Sequence, residues 1–332
     1  MKITHPLRLA ALAALVAQAM VLAACGGSDD ATPVAPVPST LDVGGGIPED
    51  VVVNGSVAYV SNLNDGSVLK LDLANGGASS TFIAPATDAL SSAWGLRVVP
   101  AQNWLLSLKN VPYDFNPTHA QAGRLSAFDL TSGGKVRSWA LPAQTVGNSV
   151  DVDKDGNLYV GDIGPQTRIV KINPANDSVT VWATDPRWVL NGFGIGGMVY
   201  DGTGIYAAHN NKLWFIGINA DGSAATPAQV SIEGDPVIFA DGMTWVDGGI
   251  YYAENDLMVP GAHGSVFRIA FTDKTTARRT VVQENLFDPS GVTTASVGGR
   301  NYLLVNESRL GYAFGTETGQ ATPPYHLQVF AR

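Results

Sequence analysis

From residue 47 onward the chain alternates short apolar runs with turn residues, and it repeats one plan. A residue X is followed by a small residue and then by an apolar strand. A Gly/Asp turn comes next, and then a second apolar strand. Six starts align: Glu49-Asp50-Val51, Trp94-Gly95-Leu96, Asn148-Ser149-Val150, Gly196-Gly197-Met198, Asp241-Gly242-Met243 and Ser290-Gly291-Val292. The second strands read VAYVSN, WLLSLKN, LYVGD, IYAAHN, IYYAEN and YLLVNES. Third strands read VLKLDL, RLSAFDL, IVKINP, LWFIGIN, VFRIAF and HLQVFAR, and outer strands STFIA, VRSWAL, VTVWAT, AQVSI and RRTVVQ. Each unit thus holds four short β-branched and aromatic strands in 45 to 54 residues. No segment keeps a 3.6-residue period, so helices are scarce. Four-stranded units at this spacing predict an all-β fold, a six-bladed β-propeller. The sixth unit ends at Arg332, directly after its third strand. The strand-like stretch STLDV at 39–43 is expected to supply the missing outer strand, closing the ring and removing an exposed edge.

Composition sharpens this picture. The 37 glycines and 19 prolines belong to a turn-rich globular chain, and a net charge of −9 argues against a nucleic-acid partner. Lys2 and Arg8 precede a nearly apolar stretch, 9–22, which is too short to span a bilayer comfortably and fits a signal-peptide core. It ends in Leu22-Ala23-Ala24-Cys25, which resembles the lipobox of bacterial lipoproteins, where the Cys is lipidated; an ordinary cleaved signal peptide is the alternative. Gly26 after the Cys resembles the outer-membrane default of Gram-negative lipoproteins. The implied place is the periplasmic face of the outer membrane, or the cell surface, with membrane contact through the lipid alone. Cys25 is the only cysteine, so the mature chain has no disulfide and no thiol chemistry. The chain therefore divides into a signal peptide (1–24), a lipidated Cys with a Gly/Ser/Pro/Ala-rich tether and closing strand (25–46), and a propeller read as a monomer (47–332).

Two motifs are set aside. Gly192-Phe193-Gly194-Ile195-Gly196-Gly197 matches the dinucleotide fingerprint, but a strand follows it rather than a helix. The run from Asp151 to Asp162 resembles a calcium-binding EF-hand loop, but strands flank it, and a hairpin turn is the simpler reading.

In a propeller the X positions line the central channel, and the ends of the second strands return to the same mouth. The inner ring is Glu49, Trp94, Asn148, Gly196, Asp241 and Ser290. The outer ring includes Asn62, Lys109, Asp162, His209, Glu254, Asn255, Glu307 and Arg309. Glu49, Asn148 and Asp241 offer hard oxygen ligands of the kind calcium prefers. The plainer readings are a solvated loop residue for Glu49, a turn cap for Asn148 and an Asp-Gly turn for Asp241. Trp94 serves equally as a packing plug or a substrate platform, and His209 and Arg309 as solvated rim residues. Long loops at 110–123, 256–264 and 309–324 overhang the mouth and carry Tyr113, Phe115, His119, Tyr312 and Phe314. Trp94, Lys109, Tyr113, His209, Glu254 and Arg309 are the candidate substrate contacts.

Residues 47–332 resemble the gluconolactonase/regucalcin family of six-bladed propellers. The resemblance rests on Pro48-Glu49, on Gly147-Asn148-Ser149-Val150-Asp151 through Gly156-Asn157-Leu158-Tyr159-Val160, and on Ala240-Asp241-Gly242-Met243. It implies a divalent metal, often calcium, held by Glu49, Asn148 and Asp241, with Asp241 also the general base of lactone hydrolysis. A fourth family ligand, an Asn in an Asn-Gly pair, is replaced here by Gly196-Gly197; Asn191 lies five residues earlier. The expectation is a metal-dependent hydrolase of lactones or related esters acting on a small molecule. A non-catalytic propeller lipoprotein, binding a ligand or a protein, is the alternative, and a strictosidine-synthase-like propeller is a third reading.

Overall fold

The computed structural model describes residues 34–85, 90–111, 122–190, 192–234, 237–257, 259, 261 and 263–332. The signal-peptide stretch with Cys25, the loop carrying Tyr113, Phe115 and His119, and Asn191 lie outside these residues. Six sheets, antiparallel apart from one added strand, follow one another along the chain as the blades of a propeller. Their inner strands are Pro48–Asn54, Ser92–Val99, Gly147–Val152, Met198–Tyr200, Ala240–Val246 and Pro289–Val297. Among the described residues the single α-helix is Leu310–Phe314, inside the long connection of blade six.

The strands are apolar on both faces because each blade is covered by two neighbours, and side chains alternate between them. In blade one, Ala58 and Val60 pack with Leu304 and Leu327 of blade six. Tyr59, between them, packs with Leu105 and Phe128 of blade two. In blade four, Ile205 and Ala207 join Tyr159 and Ile169 of blade three, while Tyr206 joins Ile250 and Tyr252 of blade five. Aromatic rings fill the wedge between blades: Tyr206 stacks on Trp245 at 5.8 Å and 8°. The core is thus a set of inter-blade layers.

The ring closes where the apolar pattern placed the seam. Thr40–Asp42 pairs antiparallel with His326–Ala331, in the register Thr40–Gln328, Leu41–Leu327 and Asp42–His326. Leu41 and Val43 are buried with Leu304, Leu327 and Val329. Blade five departs from the expected four strands. The stretch AQVSI, expected as the outer strand of blade four, divides: Ala228–Gln229 pairs with blade four, and Ser231–Glu233 adds a parallel fifth strand to Thr276–Leu286 of blade five.

The calcium-loop look-alike is a hairpin turn. Asp153 Oδ1 accepts the amides of Asp155 and Asn157, each at 2.9 Å, and its Oδ2 accepts from Tyr159 Oη at 2.9 Å. Asp151 pairs with Arg97 (2.9 Å) and Asp162 with Arg168 (3.1 Å), so these carboxylates turn to other partners. The glycine-rich stretch before Met198 leads into a strand, which removes the dinucleotide reading.

Deleting residues 39–46 removes the buried Leu41 and Val43, each worth about 1.5–3 kcal/mol, together with the seam. At roughly 2–4 °C per kcal/mol the melting temperature is expected to fall by about 10 °C in a thermal melt. An unchanged melt would contradict the closure.

Candidate functional site at the channel mouth

Every inner strand is bulged at its X position. The pairs Pro48–Asn62 and Val51–Val60 leave Glu49 and Asp50 opposite one residue. Trp94-Gly95, Asp241-Gly242 and Ser290-Gly291 sit in the same two-against-one arrangement, and Asn148 lies in the shift between Gly147 and Ser149. In blade four the Gly196 amide donates to Ala208 O (3.1 Å), and the Ala208 amide donates to Gly197 O (2.9 Å). A bulge re-aims the extra side chain and interrupts the alternation. The X side chain therefore turns to the channel while the residues after it resume inter-blade packing.

The small residue after X has its own cause. A Cβ on Gly197 would lie 2.0 Å from Asp241 O, and one on Gly242 would lie 2.6 Å from Ser290 O. At these glycines the inner strands of successive blades approach too closely for a side chain. Ser149 and Asp50 use the same contact for hydrogen bonds: Ser149 Oγ donates to Gly196 O (2.8 Å), and Asp50 Oδ2 accepts from the Leu96 amide (2.7 Å).

A cavity of about 220 Å³ lies over this ring, and Glu49, Trp94, Asn148, Gly196 and Asp241 line it. Asn148 Nδ2 donates to Asp241 Oδ1 at 3.1 Å and to Gly196 O at 3.2 Å. Asn255 Nδ2 donates to Asp241 Oδ2, also at 3.1 Å. Two amides thus clamp one carboxylate. Glu49 is 4% exposed, and its Oε2 is buried with no hydrogen-bond partner. Burial, then the charges of Asp241 and Asp50, push the Glu49 carboxyl well above the ordinary carboxylate range. Burial raises Asp241 to about 7, against the opposing effect of the Asn148 and Asn255 amides. Asp50, raised by burial to about 6, lies directly behind.

Several buried carboxylates elsewhere in the fold meet cations: Glu254 meets Arg279 (3.1 Å), Asp162 meets Arg168 (3.1 Å) and Asp201 meets Lys274 (2.5 Å). Among the described residues lining the cavity there is no lysine or arginine. Glu49 and Asp241 therefore require a proton or an external cation.

The structure gathers Glu49, Trp94, Asn148, His209 and Asp241 around one cavity. His209 places Nδ1 at 3.0 Å from Gly194 O, and burial lowers its pKa, so the ring is neutral with its proton assigned to Nδ1. Lys109, Glu254 and Arg309 do not line the cavity. Lys109 is buried and donates Nζ to Gly66 O of the neighbouring blade. Glu254 accepts the Ile238 amide (3.2 Å) as well as Arg279. Arg309 donates to Thr322 O (2.8 Å) and lies over Phe287 and Tyr325. The ends of the second strands mostly stitch the chain that enters the same blade: Asp162 accepts the Val146 amide (3.0 Å), Glu254 that of Ile238 and Glu307 that of Phe287 (3.1 Å). Asn255, an outer-ring residue to which the sequence assigns no role, contacts Asp241 because it stands one position past this stitching residue.

Gly196 is also explained. A Cβ there would meet Ala240 O at 2.5 Å, so blade four has no room for a side chain at the expected fourth ligand position. Phe193, within the glycine-rich stretch, forms part of the wall with an edge contact to Phe314 at 6.3 Å. Its only signal in the sequence is an aromatic residue three positions before an X position.

No family model matches the chain, and no curated protein matches it. Solved structures do. The major Malassezia sympodialis allergen Mala s 1 aligns at 17% identity over 88% of this chain and 96% of that one, with a TM-score of 0.68. An auxiliary nutrient binding protein from Bacteroides thetaiotaomicron aligns at 11% over 87% and 70%, with a TM-score of 0.58. A Xanthomonas campestris gluconolactonase important in glucose secondary metabolic pathways aligns at 13% over 88% of each chain, with a TM-score of 0.55. At these identities the likeness establishes the fold alone: this chain is a six-bladed β-propeller of the architecture that gluconolactonases share with binding proteins.

Proposed function

We propose that the chain is a divalent-cation-dependent hydrolase of lactones or related esters, with its site in the cavity at the channel mouth. The observation that carries this reading is the convergence of Glu49 and Asp241, two buried carboxylates, with Asn148 and without a cationic side chain. The unpartnered Oε2 of Glu49 marks where a cation is wanted. Two carboxylates and a carboxamide are oxygen donors, and they suit calcium better than a softer metal. Glu49, Asn148 and Asp241 would hold the ion. When bound, such an ion supplies Lewis-acid polarisation of the ester carbonyl.

The chain's own groups do the rest. Asn148 and Asn255 orient the Asp241 carboxylate through one oxygen each. Asp241 is the carboxylate placed to take a proton from the attacking water, and beside a bound cation it would stay ionised for that role. That proton is then available to the alkoxide released when the ester C–O bond breaks. Phe193, Leu257 and Phe314 exclude bulk water from above. With lipidated Cys25 as the anchor, this chemistry would be held at a membrane surface. Fatty-acid labelling that is lost in Cys25→Ser checks the anchor; labelling retained in that variant removes it.

A second reading is a non-catalytic ligand-binding propeller. It is favoured by one observation: among the described residues no three His, Cys, Asp or Glu side chains cluster as a metal site. Asp241→Asn separates the two. The hydrolase reading expects kcat/KM on lactones to fall by about 10²–10⁴-fold with the melting temperature nearly unchanged. Full activity in Asp241→Asn would refute it, and no lactone turnover by the wild type favours the binding reading.

The carboxylates also give the chelated protein a defined pH response. Glu49, Asp50 and Asp241 are all raised above their unfolded values near 4, so the folded state binds more protons between about pH 4 and 7. The stabilisation is complete below about pH 4 and is lost as pH rises through 6 to 7. In chelator, thermal melts should therefore give a higher melting temperature at pH 5.5 than at pH 8. Added calcium should raise it more at pH 8. A calcium effect equal at both pH values would argue against these carboxylates as its ligands.

A further inference from the structure

The floor of the cavity is polar, but its wall is not. Trp94, Ile163, Phe193, Leu257, Leu310 and Phe314 surround the space above Asp241. Among the described lining residues there is no serine, threonine, tyrosine, glutamine, lysine or arginine. Most of the polar side chains that are present already hold protein partners, and Glu49 Oε2 and His209 Nε2 are buried atoms left without one. His209 Nδ1 is on Gly194 O, Asn210 Nδ2 is on Val189 O (2.5 Å), and Asn148 and Asn255 both donate to Asp241. A ligand that brings several hydroxyl groups would bury them against carbon, at the cost of each unmade hydrogen bond.

The apolar surface also continues outward. Val189, Leu190 and Val259 are 65%, 42% and 55% exposed, and they are three of the eight large hydrophobic residues found exposed among the described residues. Residues 189–190 adjoin the cavity-lining Asn210 through its hydrogen bond to Val189. Val259 belongs to the loop that carries Leu257, and that loop is tied to the long connection of blade six by Thr316 Oγ1 to Leu257 O (2.6 Å) and the Gly261 amide to Glu317 Oε1 (2.5 Å). Exposed apolar residues thus stand close in the chain to residues that line the wall, and apolar surface near an opening suits an apolar ligand.

We propose that the substrate is a lipophilic ester or lactone, whose alkyl or aryl part lies along Phe193, Leu257 and Phe314 while its carbonyl meets Asp241, and not a polyhydroxylated sugar lactone. The proposal rests on the hydrolase reading for its chemistry and on the wall for the polarity of the ligand. The step is hydrolysis. Water oxygen bonds to the carbonyl carbon, the ring C–O bond breaks, and the proton taken by Asp241 passes to the released alkoxide.

Two lactones of equal ring size test it on the full chain: δ-decanolactone and glucono-δ-lactone. Binding is read by calorimetry and turnover by acid release. The expected result is at least ~10-fold tighter binding of δ-decanolactone, since each methylene in an apolar pocket is worth roughly 10-fold or more. Phe193→Ser and Phe314→Ala should each weaken that binding by about 10-fold, whereas Val181→Ala, on an outer strand of blade three, should not change it. Leu257→Ala serves if either aromatic variant does not fold. If δ-decanolactone binds and the wall variants weaken it without any turnover, the lipophilic ligand stands and the hydrolase reading falls. Equal or tighter binding of glucono-δ-lactone, an unaltered Kd in the wall variants, or binding of neither lactone overturns the proposal.

Discussion

Everything at the mouth depends on two residues facing one in each inner strand. A regular strand would send X and the residue after it to alternate blade interfaces. The bulge adds a residue, so one side chain can leave the alternation and enter the channel. The next blade's main chain then comes within about 2–3 Å of any Cβ placed on Gly95, Gly197 or Gly242. The same crowding that brings six backbones close enough to share one channel leaves glycine beside it wherever a short polar side chain does not turn the contact into a hydrogen bond, as Asp50 and Ser149 do. The site and the glycines are consequences of one geometric fact.

The charge distribution separates the mouth from much of the rest of the fold. Several carboxylates buried at the ends and edges of strands have guanidinium or ammonium partners, which offset part of their desolvation. At the mouth, amides replace the cations. Amides can orient a carboxylate but cannot neutralise it. Local stability is therefore lower there than the fold could have made it, a pattern expected where a site must interact with something from outside.

The repeat was legible because strand length, turn spacing and the X-small pair recur six times, and the physics behind each is local. The closing strand was legible for a related reason: an incomplete last blade needs one more strand, and one strand-like stretch preceded the first. Three further features were not legible, because each depends on a partner chosen in three dimensions. AQVSI divides between two blades, although nothing in five apolar and polar residues states which edge they meet. Lys109 and Glu254 occupy the spacing of mouth residues, yet a carbonyl of the adjacent blade and an arginine on the next strands hold them away. Asn255 differs from Glu254 by one position, and that position decides which of the two reaches Asp241. In an extended chain a single step reverses the face, so a ring of polar strand ends cannot be sorted by type alone.

The seam in blade six also sets the order of assembly. Thr40 and Gln328 are hydrogen-bonded neighbours separated by 288 positions in the chain. Local hairpins within blades one to five can form as soon as their own strands exist, but the circle cannot shut before its final strand is in place. Until then the molecule is an open arc, with unpaired main-chain groups along Thr40–Asp42 at one end and along His326–Ala331 at the other. Such long-range closure is slow, and it exposes both edges to wrong partners while it waits. The interval between synthesis of the last hairpin and closure is therefore the most aggregation-prone period in the life of this protein.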